Sequence, residues 1–237
     1  MRKSEIAKGL DLKATRIFIA AATALVANSL INNLTRLPDM PAVAQTVGAA
    51  FVVVTSIFAY VMQIRGFVTV DKACKLCEKN ENYYMGKNLT VFAVVCIIIG
   101  VILSIAALVF SMFIAQYNAA DGLTQSDLQA RNNIVLITAI INIAMQFFAV
   151  STPFIFYLWR IYKLTPASDR INKFALLTLI VLVLHLAIGV LNSVYSVKSS
   201  DNSFLPTFSS VLNTLKYLVL MIFFMARKQS LDKMITE

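Results

Sequence analysis

The sequence predicts an all-α, polytopic integral membrane protein. Six transmembrane helices are arranged as three hairpins, both termini are cytoplasmic, and one amphipathic helix lies on the cytoplasmic side. Three observations carry this. Of the 237 residues, 59% are hydrophobic and 14% are charged, against roughly 45–50% and about 25% in an ordinary soluble domain. Six apolar stretches are each long enough for the roughly 20 residues that cross a bilayer. The basic residues fall almost entirely in alternate connections. This balance excludes a soluble domain, a disordered chain and a disulfide scaffold.

The spans are expected at 17–34, 42–64, 89–115, 133–159, 174–196 and 207–226. No connection between them holds a soluble domain of ~50 residues, so residues 1–237 form a single six-helix domain. The first span follows Arg2, Lys3, Lys8, Lys13 and Arg16. Its apolar run outlasts the 7–15 residues of a signal-peptide core, so it reads as a retained span. Pro38 and Pro41 punctuate the first turn. Gly122 and the T-x-x-D pattern from Thr124 to Asp127 predict a turn and a capped helix before the fourth span. Thr165-Pro166 predicts a helix start before the fifth, and Pro206 marks the beginning of the sixth. The third and fourth spans exceed the bilayer and must tilt or project.

Seventeen of the 21 Lys and Arg residues lie in the N-terminal tail, the 65–88 loop, the 160–173 loop and the C-terminal tail; Arg36, Arg131 and Lys198 lie on the other side. Positive charge stays inside, so both termini are expected in the cytoplasm. The +9 formal charge therefore reads as orientation in a membrane, in all expectation a prokaryotic cell membrane, and not as nucleic-acid binding. Tyr157, Trp159 and Tyr162, Tyr60 with Arg65, and Phe223 and Phe224 with Arg227 and Lys228 read as interfacial anchors.

No Asp or Glu falls inside these six spans, which argues against proton relays and carboxylate cation sites. Lys216 is the one formal charge near mid-span. It costs roughly 2.5–3.5 kcal/mol there and should face the bundle interior or a wet cavity. Ser209, Asn213, Tyr217 and Leu220 share its neighbourhood at helical spacing. Its functional reading is a contact to an anion or carboxylate; its structural reading is a lysine held by carbonyls and amides, or snorkelling outward. His185, with Asn192 seven residues on, sits mid-way along the fifth span, where a histidine commonly serves as hydrogen-bonding glue. Ala20, Ala24, Asn28 and Asn32 form a stripe on the first span, Asn142 and Gln146 are four apart on the fourth, and Gln45 lies near the outer end of the second. The first, fourth, fifth and sixth spans are thus candidates to face one another, with the third at the lipid-facing periphery. Lys216, Asn213, His185, Asn192, Asn28, Asn32 and Asn142 are the candidate substrate-binding lining. A packing core of hydrogen bonds without a cavity is an equal alternative.

In the 67–80 segment, Phe67, Val70, Ala73, Cys74 and Cys77 fall on one side of a helix. This predicts the amphipathic cytoplasmic helix, laid on the membrane surface or a partner. Cys74-x-x-Cys77 lacks the four ligands of a zinc site, and Cys96 reads as a core residue. No metal or cofactor is expected. The absence of G-x-S-x-G, H-E-x-x-H and P-loop motifs argues against the corresponding enzymes, and a retinal imine on Lys216 lacks an acidic counter-ion. Two functions remain. The first is a small permease or permease subunit for a neutral or anionic solute. The second is a non-transporting membrane partner (assembly, immunity or regulatory) acting through the basic cytoplasmic face. Expected companions are the bilayer and, at the cytoplasmic face, a second copy, a separate ATPase or a regulatory subunit.

Overall fold

The computed structural model describes residues 3–35, 40–76, 87–119, 124–148, 151–166, 168–198 and 204–236. They form seven helices: α1 Lys3–Leu34, α2 Ala42–Leu76, α3 Lys87–Ala119, α4 Gln125–Phe148, α5 Ser151–Leu164, α6 Arg170–Lys198 and α7 Phe204–Thr236. No strand occurs among the described residues. Six of the seven, all but α5, are long and apolar enough to cross a membrane. Proline stands where a helix tolerates it: Pro41 immediately precedes α2, Pro153 and Pro206 occupy first turns, and Pro166 lies between α5 and α6. Thr124 and Asp127 form the expected capping box, with Thr124 N donating to Asp127 Oδ2 at 3.0 Å and Asp127 N to Thr124 Oγ1 at 3.3 Å.

Two boundaries differ from the sequence reading, and a third is described in parts. Of the fourth span expected over 133–159, α4 is described as far as Phe148 and the 14-residue α5 from Ser151, and the join at 149–150 lies outside the described residues. Pro153 stands at the third position of α5, where its missing donor costs no hydrogen bond within that helix. Residues 67–76 do not form a surface helix. They continue α2, and Phe67, Val70 and Ala73 are buried within the bundle; Cys77 lies outside the described residues. Finally, α6 begins at Arg170 and not at Thr165-Pro166, with Asp169 Oδ1 accepting from Ile171 N at 3.0 Å as its cap.

The helices pack as a ring. α1 lies between α2 and α7, α7 packs on α6, α6 on α4 and α5, these two on α3, and α3 on α2. The start of α1 meets the end of α7 through Arg227 Nη2 to Asp11 Oδ2 at 2.8 Å and through the longer Arg16–Asp232 pair at 3.8 Å. At this terminal end the axis is filled by five aromatic rings. Phe18 of α1 lies 5.0 Å from Phe67 of α2, 5.4 Å from Phe154 and 5.6 Å from Tyr157 of α5, and 4.9 Å from Phe224 of α7. Each such pair adds about 0.5–1.5 kcal/mol beyond area burial. Close approach makes room for it: a Cβ on Gly66 would run into the Phe18 ring. Tyr157, Phe223 and Phe224 are therefore core residues and not interfacial anchors. Trp159 does stay exposed, with Lys163 Nζ 4.9 Å from its ring centroid.

Burial is lopsided along the ring axis. Among the described side chains, α2 before Ala59 buries only Gly48, α3 beyond Gly100 buries none, and α4 buries only Ala139. Buried side chains concentrate at the terminal end, and at the far end Val43, Val47, Val54, Ile102, Leu108 and Met112 are exposed. The third span matches the peripheral position expected of it over this far half. Cys96, near its start, is buried as expected.

Candidate functional site

The exception to the loose far half is the seam between α1, α6 and α7. A chain of polar side chains runs along it. Ser210 Oγ donates to Asn33 Oδ1, Asn33 Nδ2 donates to Thr214 Oγ1 at 3.2 Å, Ser29 and Thr214 hydroxyls are 2.8 Å apart, and Asn213 Nδ2 donates to Ser29 Oγ at 3.1 Å. Asn213 also hydrogen-bonds the ring of His185. The His185 ring nitrogens lie 3.2 and 3.3 Å from Lys216 Nζ. Periodicity produces this arrangement. On α7, positions 209/210, 213, 216/217 and 220 recur at three to four residues and share one face. On α6, Thr178, Leu182, His185, Gly189 and Ser193 do the same and are all buried.

Lys216 is 5% exposed and His185 3%. The ammonium also lies 4.6 Å from the centroid of the Tyr217 ring, a favourable cation–π distance. Among the described residues no carboxylate pairs with it. Tyr217 is an electrostatic neighbour of Tyr60 on α2, which hydrogen-bonds Ser104 on α3. The layer around Lys216 therefore spans four helices of the ring: α6, α7, α2 and α3. Its groups present a positive charge surrounded by neutral dipoles, a field suited to an anion or to the oxygen of a neutral solute.

The other residues singled out from the sequence sit as follows. Asn28 faces α2, its Nδ2 lying 2.8 Å from Val52 O, 3.1 Å from Thr55 Oγ1 and 2.7 Å from Ser56 Oγ. Asn32 is half-buried, and its carbonyl accepts from Thr35 Oγ1. Asn192 is half-buried on α6, beside buried Ser193. Asn142 is half-buried on α4. Gln45 is exposed and donates to Met40 O. The structure thus joins Lys216, His185 and Asn213 in one network and leaves Asn28 in another. Sequence reasoning missed Ser29, Asn33, Ser210 and Thr214. The available signal was that Ser29 and Asn33 are also four apart, one position on from the Asn28–Asn32 pair.

Two shallow clefts lie at the terminal end. One, of about 180 Å³, is lined by Asp169, Arg170, Gln229, Ser230 and Lys233 among others. The other includes Thr165, Arg227 and Met234. No cluster of three or more His, Cys, Asp or Glu able to hold a metal occurs among the described residues. No family model matches the chain, and neither a curated protein nor a solved structure does.

Proposed function

We propose that this chain is a small six-span permease, or the permease subunit of a larger assembly, that passes a neutral or anionic solute through a cell membrane, with both termini in the cytoplasm. The observation that carries the reading is Lys216: a mid-span ammonium, buried, held by an imidazole and an aromatic face, without a carboxylate partner among the described residues. Placing a lysine at that depth costs roughly 2.5–3.5 kcal/mol on insertion scales. A purely structural position on a packed helix is filled more stably by leucine. The charge stands at the deep end of a polar seam whose other end, at Asn33 and Ser210, lies in the sparsely buried half of the ring. A solute arriving from outside would exchange hydrogen bonds with Asn33, Ser29, Thr214 and Asn213 before reaching it. The absence of acidic groups from this seam disfavours cations as cargo.

The rival reading, a non-transporting assembly, immunity or regulatory protein, works through the basic cytoplasmic face and an amphipathic surface at 67–80. As far as Leu76 that apolar face is taken up inside the bundle, so it offers less to a partner. Proteoliposomes holding the purified protein test the proposal through the swelling rate in small neutral solutes and the influx of small anions. The wild type is expected to exceed empty vesicles. Lys216→Gln is expected to lower flux at least tenfold while abundance and unfolding resistance are kept or raised. Wild-type flux in a correctly folded Lys216→Gln protein would remove the assigned role.

A further inference from the structure

Gln63 is 0% exposed, yet neither atom of its amide has a hydrogen-bond partner among the described residues. Its place in the ring follows from two cross-helix registers. Gly66 abuts Phe18, and Asn28 reaches Val52 and Ser56, so Gln63 lies level with α1 near residue 20. On the other flank, Thr23 meets Met221 and Ser29 meets Asn213 and Thr214, which puts Lys216 level with α1 near residue 26 or 27. The two are therefore separated along the axis by about 9 Å at 1.5 Å per residue. Phe67, one helical turn from Gln63 on the same face, is packed against Phe18, Phe154 and Tyr157. Gln63 thus points toward the ring axis in the layer between Lys216 and the aromatic plug.

We infer that Gln63 is an inner polar station of the transit route, and that its amide holds a small neutral hydrogen-bonding molecule: water at rest, and a polar group of the solute in passage. The physical reason is the amide itself. Two donors and an acceptor buried without partners are costly, and ordered water is what commonly satisfies such buried polar groups. An amide that both donates and accepts serves a neutral group equally well whichever way it presents. A residue that were only structural would have been bonded to a neighbouring helix, as Asn28 and Asn172 are.

The inference rests on the permease reading for its solute and stands apart from it for its water. Radiolytic hydroxyl-radical footprinting of the protein in nanodiscs tests the water directly. Phe67, although buried, is expected to be oxidised rapidly in the wild type, and several-fold more slowly in Gln63→Leu. A Phe67 that resists oxidation in the wild type would show a dry site and overturn the inference without any variant. In proteoliposomes, Gln63→Leu is expected to lower flux at least tenfold with Lys216 intact. Flux that falls in Lys216→Gln but not in Gln63→Leu would remove the station and leave the permease. Absence of flux from the wild type would remove the permease, while footprinting would still decide the water.

Discussion

Arg227 and Asp11 offer the sharpest quantitative test of how the ring is closed. They are 7% and 3% exposed and joined at 2.8 Å, and they link the first and last helices. Replacing Arg227 by Met strands a buried carboxylate, which costs about 3–5 kcal/mol. At 1.4 kcal/mol per tenfold, that is a shift of roughly 150- to 4,000-fold in the folding equilibrium. Asp11→Leu alone removes the guanidinium's carboxylate partner and is expected to fall in the same range. The double variant removes both charges of the pair, and buried pairs replaced by apolar residues are commonly neutral, so most of the loss should return. Arg16–Asp232 is the internal control. It joins the same two helices, but at 3.8 Å with both side chains at least 44% exposed, and Arg16→Gln should cost less than about 1 kcal/mol. Unfolding by a denaturing detergent can be followed through the one tryptophan, Trp159. If the two single losses simply add in the double variant, the pair is not coupled and the reasoning fails.

Asn172 clips the link between α5 and α6: its Nδ2 donates to Tyr162 O at 2.7 Å and Thr165 O at 2.9 Å. Asn172→Asp points a second acceptor at these carbonyls and should destabilise by more than the about 1–3 kcal/mol of a lost buried donor, with Asn172→Ala milder in the same detergent titration. For orientation, a fluorescent protein fused after Lys233 should glow and an alkaline phosphatase fused there should be inactive, as the cation distribution demands; active phosphatase at that position would reverse the proposed topology.

The features legible in the sequence were those set by local chemistry. Six apolar runs, the Thr124–Asp127 cap and the inward placing of Lys216 on a face shared with Asn213 follow from composition and spacing; the meeting of Lys216 with His185 of another helix does not. What escaped depends on neighbours. An aromatic ring beside a cation looks alike whether it anchors at a headgroup, as Trp159 fits, or plugs an axis, as Phe224 does. The stripe Asn28–Asn32 and the stripe Ser29–Asn33 differ by 100° around α1, and only the positions of α2 and α7 decide which belongs to the seam. The continuation of α2 to Leu76 was hidden because one apolar face suits a membrane surface and a helical neighbour equally.

A bundle clasped at one end and loose at the other behaves mechanically like a pair of tweezers. Side-chain interlocking around Phe18 fixes the terminal end, while the far halves of α2 and α3 turn large apolar side chains outward, toward lipid in the membrane placement proposed above. In that placement, acyl-chain length and lateral pressure would act on the far end more than on the interlocked one. In such a device the solvent is a working component of the machine, and the same polypeptide would have a different resting shape in bilayers of different thickness.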